Sequence, residues 1–128
     1  MRRAVVDTSV FIAAEQGRTL HQELPDQVAV SVVTLAELEV GVLVAEDDQA
    51  RATRLSTLLA VREQADGLPT DASVASAYAR LAAASLRAGR RPRVHDTWIA
   101  ATAAVHDAAV WTQDEDFGRF DGVEVVRV

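Results

Sequence analysis

Short apolar runs alternate along this chain with longer segments of helical periodicity. Residues 3–6 (RAVV) are an apolar run that stops at Asp7-Thr8-Ser9, the pattern of a buried strand whose carboxyl end meets a polar helix start. A helical turn over 10–14 is broken by Gly17, and 19–24 is expected to be another short helix closed by Pro25-Asp26. Residues 28–31 (VAVS) predict a second strand. From Thr34 onward, Leu35, Leu38, Val42 and Ala45 fall at helical spacing. Asp47-Asp48 are placed to cap a following helix that carries Ala52, Leu55, Leu58, Leu59 and Arg62 and runs to Ala65, so these two helices read as an antiparallel pair. The connector 66–71 has room for a short third strand. Residues 71–88 give the clearest helix, with Val74, Tyr78, Leu81 and Ala82 on one face and Gly89 as its stop signal. A loop over 90–94, an alanine-rich helix over 96–106, and strands over 108–112 and 122–128 complete the pattern.

Alternation of this kind predicts an α/β fold with a central, mostly parallel sheet of four or five strands flanked by helices in three layers. At 128 residues and 49% apolar content, the chain is expected to form one domain over 1–128 with a real core. There is no cysteine, hence no disulfide framework and no thiolate zinc site, as expected of a reduced cytoplasm. His21, His95 and His106 lack the H-E-x-x-H spacing of a zinc hydrolase. The two arginines at the start precede an apolar stretch that Asp7 interrupts, which does not fit a secretory leader. No apolar run approaches the roughly 20 residues that span a bilayer. A soluble, cytoplasmic protein is the expectation.

The formal charge of -6 argues against a generally basic, nucleic-acid-coating surface. Its distribution changes that picture, because Arg87, Arg90, Arg91 and Arg93 concentrate positive charge just ahead of Asp96. All basic side chains are arginine, whose planar fork suits phosphate. The absence of lysine excludes a P-loop. It also argues against a phosphoacceptor receiver domain, another small parallel α/β protein with an acidic metal site, which relies on a lysine near its last strands.

Four acidic positions carry the candidate chemistry: Asp7 in AVVDTSVF, Glu37 in VVTLAELEVGV, Asp96 in RVHDTWIAATA, and Asp114 or Asp116 in WTQDEDF. Each has a purely structural alternative. Asp7 and Asp96 sit where an aspartate caps a helix, Thr34-x-x-Glu37 has the form of a capping box, and D-x-D is a common solvated loop. Their joint placement is harder to explain by capping. In an open parallel sheet, ligands bind beyond the carboxyl ends of the strands, and all four fall at that edge. Carboxylates gathered there would repel one another unless a hard divalent cation neutralised them, which points to magnesium or manganese. Glu39 reads as solvated, His95 as a local hydrogen-bond partner, and Trp98 and Trp111 as core or dimer-interface residues.

In this order, VVDTSVFI, VTLAELEVGV, an aspartate opening a helix that reads IAATA, WTQDEDF and a valine-rich last strand resemble the PIN-domain ribonucleases, most of all the VapC-type toxins of bacterial toxin-antitoxin pairs. The resemblance spans essentially the whole chain. It implies a Mg2+-dependent endoribonuclease (Mn2+ as a substitute) that leaves 5′-phosphate and 3′-hydroxyl ends on RNA, with Asp7 and Asp96 as the principal metal ligands. Glu37 and Asp114 or Asp116 would complete the catalytic acids, supported by the hydroxyls of Thr8, Ser9 and Thr112. Thr97, where many relatives carry alanine, departs from the pattern without touching its carboxylates. A cognate VapB-type antitoxin and a homodimer are also implied. The competing reading is a catalytically silent α/β interaction module, which an intact set of acids disfavours.

Overall fold

The computed structural model of the chain describes residues 3–128. Among them, β1 (Ala4–Val6), β2 (Val28–Ser31), β3 (Asp66–Leu68), β4 (Ala109–Thr112) and β5 (Val125–Arg127) form one sheet in the order β3-β2-β1-β4-β5, with every neighbouring pair parallel. The covering helices are α1 (Thr8–Glu15), α2 (Val32–Leu43), α3 (Asp48–Gln64), α4 (Ala72–Arg87) and α5 (Val94–Val105). The expected mostly parallel sheet is thus five-stranded and wholly parallel.

Strands buried on both faces must be apolar at every position, which is why AVV and VAV read as continuous runs rather than as alternating ones. Ala4, Val6 and Val30 pack on one face with Val10 of α1, Leu38 and Val42 of α2, and Leu58 and Val61 of α3. Val5, Ala29 and Val110 point to the other face, against Ile99 and Ala103 of α5. Outside that layer, Val74, Ala77 and Leu81 of α4 meet Ala100 and Ala101 of α5, where small side chains allow close approach. Beside this seam, the Tyr78 and Trp98 rings lie with centroids 4.1 Å apart. Trp111, by contrast, packs at the margin of the first cluster.

Several helix starts differ from expectation. Helix α2 begins at Val32 with Ser31 as its N-cap, whose side chain accepts a hydrogen bond from Val33 N at 3.0 Å. Thr34 therefore lies inside the helix with its hydroxyl buried and unbonded, and the Thr34–Glu37 capping box does not form. Helix α5 starts at Val94 with Arg93 at the N-cap, so Asp96 occupies the first turn instead of the cap. Asp47 and Asp71 do cap, accepting from Ala50 N at 2.8 Å and Val74 N at 3.1 Å. The last strand is confined to Val125–Arg127.

No helix forms over 19–24. Six residues are too few to offset helix nucleation without strong tertiary contacts, and only Leu20 and Leu24 touch the core while His21, Gln22 and Glu23 stay exposed.

Candidate active site

The chain steps from β1 outward through β2 and β3, then returns to the opposite side of β1 as β4. This reversal opens a crevice beyond the carboxyl ends of β1 and β4, where open α/β sheets bind ligands. Register pairs Val6 with Trp111, and Asp7 N donates to Trp111 O at 2.9 Å, so Asp7 and Thr112 emerge side by side.

Asp7 is 7% exposed, and its backbone occupies the N-cap position of α1 without its side chain capping the helix. Two hydroxyls hold the carboxylate instead. Ser9 Oγ donates to Asp7 Oδ2 at 2.7 Å and Thr112 Oγ1 donates to the same oxygen at 2.8 Å. Each hydroxyl in turn accepts a backbone N–H from the next turn, Gln113 N at 3.0 Å on Ser9 and Asp114 N at 3.0 Å on Thr112. Both protons converge on Oδ2, and among the described residues no donor is bonded to Oδ1. Asp7 is thus fixed in orientation with one oxygen left for a ligand.

Glu37, on the second turn of α2, accepts from Thr8 Oγ1 at 3.1 Å and lies 3.4 Å from His95 Nδ1. These contacts tie the starts of α1, α2 and α5 to one carboxylate. His95 was expected to be a local hydrogen-bond partner; it instead faces Glu37 of another helix at an ion-pair distance.

Asp96 is the most perturbed acid. Its side chain is 14% exposed, and Oδ2 lies 3.4 Å from Arg93 Nε, an ion-pair distance, yet no donor reaches that oxygen in hydrogen-bond geometry. Burial pushes its pKa up from the ordinary 3.8; the Arg93 guanidinium and a bond from the Gly118 backbone pull it down, while the Asp7 and Asp114 charges push it up further. Asp7, Asp96 and Asp114 therefore share one electrostatic field.

The two acids of the D-E-D segment are placed differently. Asp114 is half-buried and its Oδ1 accepts from Asp116 N at 2.8 Å, whereas Asp116 is exposed. The carbonyl of Asp116 accepts a hydrogen bond from Arg93. Sequence reasoning missed this second role of Arg93, because residues 90–94 were expected to be loop, which hides the i,i+3 spacing of Arg93 and Asp96 on one helix.

A hollow of about 430 Å3 at this edge is lined by Glu37, Arg93, Val94, His95 and Asp96. Among the described residues, no three Asp, Glu or His side chains stand close enough to enclose an ion as they are. The single tight cluster expected from the sequence is instead a hydrogen-bonded Asp7–Asp114 group and a separate Glu37–His95 pair, with Asp96 adjoining. Mutual repulsion opposes closer approach of like charges. The donor set nonetheless suits a hard cation: all oxygen, with Asp7 Oδ1 free and Asp96 Oδ2 buried without a donor.

The PIN domain family model matches residues 4–123. The chain belongs to the PIN-domain family. It is 52% identical to Ribonuclease VapC5 of Mycobacterium tuberculosis, over 97% of this chain and 94% of the relative. Identity to Ribonuclease VapC4 of the same organism is 42%, over 100% and 98%. Among solved structures, the VapBC-5 toxin-antitoxin structure from Mycobacterium tuberculosis superposes with a TM-score of 0.88 at 47% identity, covering all of both chains. VapBC2 from Rickettsia felis, bound to a DNA fragment from its promoter, shares the fold with a TM-score of 0.81 at 19% identity over 98% of both chains. The family expectation, a PIN-domain ribonuclease of the VapC type, is therefore borne out, as is the three-layer PIN-like fold.

Proposed function

We propose that this PIN-domain protein is a Mg2+-dependent endoribonuclease, the toxin of a toxin-antitoxin pair, acting in the cytoplasm as one domain over 1–128. The observation that carries the reading is the pair of ligand-ready oxygens at the β1/β4 edge, Asp7 Oδ1 and the buried Asp96 Oδ2, in a field shared with Asp114. Asp7 and Asp96 are the proposed ligands of Mg2+ or Mn2+. The bound ion would supply charge neutralisation at the scissile phosphate and acidify the attacking water. Ser9 and Thr112 hold Asp7 in place, and Thr8 and His95 hold Glu37 at the mouth of the hollow. Glu37 and Asp114 are assigned to orient the water for in-line attack, the P–O3′ bond breaking to leave a 3′-hydroxyl. Asp114 is preferred over Asp116 because it is the one whose charge reaches Asp96.

Inhibition by a cognate antitoxin belongs to the same reading, as does a homodimer. An apolar groove of about 580 Å3 between α1 and α3, with Phe11, Leu24 and Val61 in its wall, offers a seat for an antitoxin segment. Electrostatic complementarity favours a segment that also brings a basic side chain to the acids.

Amide substitutions test the catalytic assignment. Asp7→Asn, Asp96→Asn and Glu37→Gln preserve shape and remove charge, so each is expected to fold while losing about 10²-fold or more of RNA cleavage in Mg2+. Cleavage near wild type in these variants, or equal cleavage by the wild type in excess EDTA, defeats the metal-site reading, and no cleavage by the wild type in Mg2+ or Mn2+ favours the silent module.

A further inference from the structure

A second feature lies beside the acids. Arg90, Arg91, Arg93 and Arg119 line one hollow of about 150 Å3, and Arg93 also lines the acidic hollow with Glu37 and Asp96. The two hollows therefore adjoin through one side chain. Among the described residues, Arg90, Arg91 and Arg119 are exposed and make no side-chain ion pair or hydrogen bond, whereas Arg51, Arg62 and Arg93 pair with acids. Unpaired arginines massed at one spot of a chain with net charge -6 repel one another, a cost that an incoming polyanion relieves.

Hydrogen bonds and packing hold the backbone that carries them. Gly89, at φ +76, ends α4 in a left-handed turn, with Gly89 N bonded to Leu86 O at 3.0 Å and Arg90 N bonded to Ser85 O at 2.9 Å. This Schellman closure sets the direction in which the backbone leaves α4 at Arg90. Arg119 lies two residues after Phe117, which is buried in one core cluster with Ile99 of α5, so its loop is anchored beside the helix that carries Asp96.

We propose that Arg90, Arg91 and Arg119 form a phosphate-binding strip that holds single-stranded RNA on one flank of the site, engaging phosphates next to the scissile one. Arg93 marks the junction, its guanidinium committed to Asp96 and the 116 carbonyl. The strip accounts for how a net-acidic protein with an acidic site would hold a polyanion, and it rests on the ribonuclease reading.

The test is binding of a 5′-fluorescein 20-nucleotide single-stranded RNA, followed by anisotropy in EDTA from 50 to 200 mM KCl. In Arg90→Gln/Arg91→Gln/Arg119→Gln, three lost phosphate contacts should flatten the slope of log K against log salt by about 2 and weaken binding about 10-fold or more at 100 mM. In Mg2+ the same loss should appear as a raised KM. A control that removes equal charge from α3, Arg51→Gln/Arg54→Gln/Arg62→Gln, should keep the wild-type slope, and the triple lysine variant of the strip should restore it. A wild-type slope in the strip variant, an equal change in the control, or no RNA binding by the wild type overturns the strip. Cleavage distinguishes the two proposals: a failed strip with intact Mg2+-dependent cleavage leaves the ribonuclease reading standing. A confirmed strip without cleavage in Mg2+ or Mn2+ does the reverse.

Discussion

Thr112→Val tests how the fold aims Asp7. Valine matches threonine in shape, so the substitution removes one hydroxyl from a fully buried site and little else. The donation to Asp7 Oδ2 at 2.8 Å and the acceptance from Asp114 N at 3.0 Å go with it, together with a 3.1 Å contact to Ser9 Oγ. A hydrogen bond to a charged group contributes about 1.5–3 kcal/mol and a neutral one about 1 kcal/mol. Ser9 still donates to Oδ2, and the new buried methyl returns part of the loss, giving a net destabilisation of about 2–3 kcal/mol. For a chain of this length, 1 kcal/mol moves the midpoint by about 4 °C, so a fall of about 8–12 °C is expected in EDTA at neutral pH. In an Asp7→Asn background the lost bond is neutral, and the same substitution should cost about 1 kcal/mol less. The assay is thermal unfolding of the four proteins of that cycle. A fall below about 3 °C, or an equal cost in both backgrounds, would refute the view that Thr112 acts through the Asp7 charge.

The other expectations are independent of one another. Asp114→Asn should lower RNA cleavage by about 10²-fold while Asp116→Asn stays within a few-fold of wild type, measured in Mg2+ at matched folded concentration; the reverse order exchanges the two roles. Asp96→Asn should leave the metal-free Tm unchanged or raise it at pH 7. Because the folded carboxyl has its pKa raised above the ordinary 3.8, its contribution is fully present below that value and is lost as pH rises through the folded pKa, so any gain should vanish in acid. Leu58→Ala, at a side chain 2% exposed between α3 and the sheet, should cost about 2–5 kcal/mol by denaturant titration, and a loss under 1 kcal/mol would contradict the assigned core.

The elements were legible where local physics decides. Continuous apolar triplets marked strands covered on both faces, Asp47 and Asp71 announced helix starts that their side chains do cap, and Gly89 marked the end of α4 through its positive φ. The order of acids along the chain was enough to place them at one sheet edge, since an alternating α/β chain puts the ends of its strands on one side. Other features depended on the assembled fold. Ser31 took the cap that Thr34 seemed placed to provide, because helix α2 starts as soon as β2 leaves the sheet. The segment 19–24 has helical spacing but too few buried contacts to hold a helix. Asp114 and Asp116 are equivalent in sequence; only the turn after β4, which leaves the first half-buried with its charge felt at Asp96 and the second exposed, distinguishes them. Thr112 meets Asp7 across 105 residues, a contact set by the parallel register of β1 and β4. Local sequence specifies propensity, caps and the kinds of side chain available, whereas which oxygen each carboxylate leaves free is decided by long-range pairing that no local pattern encodes.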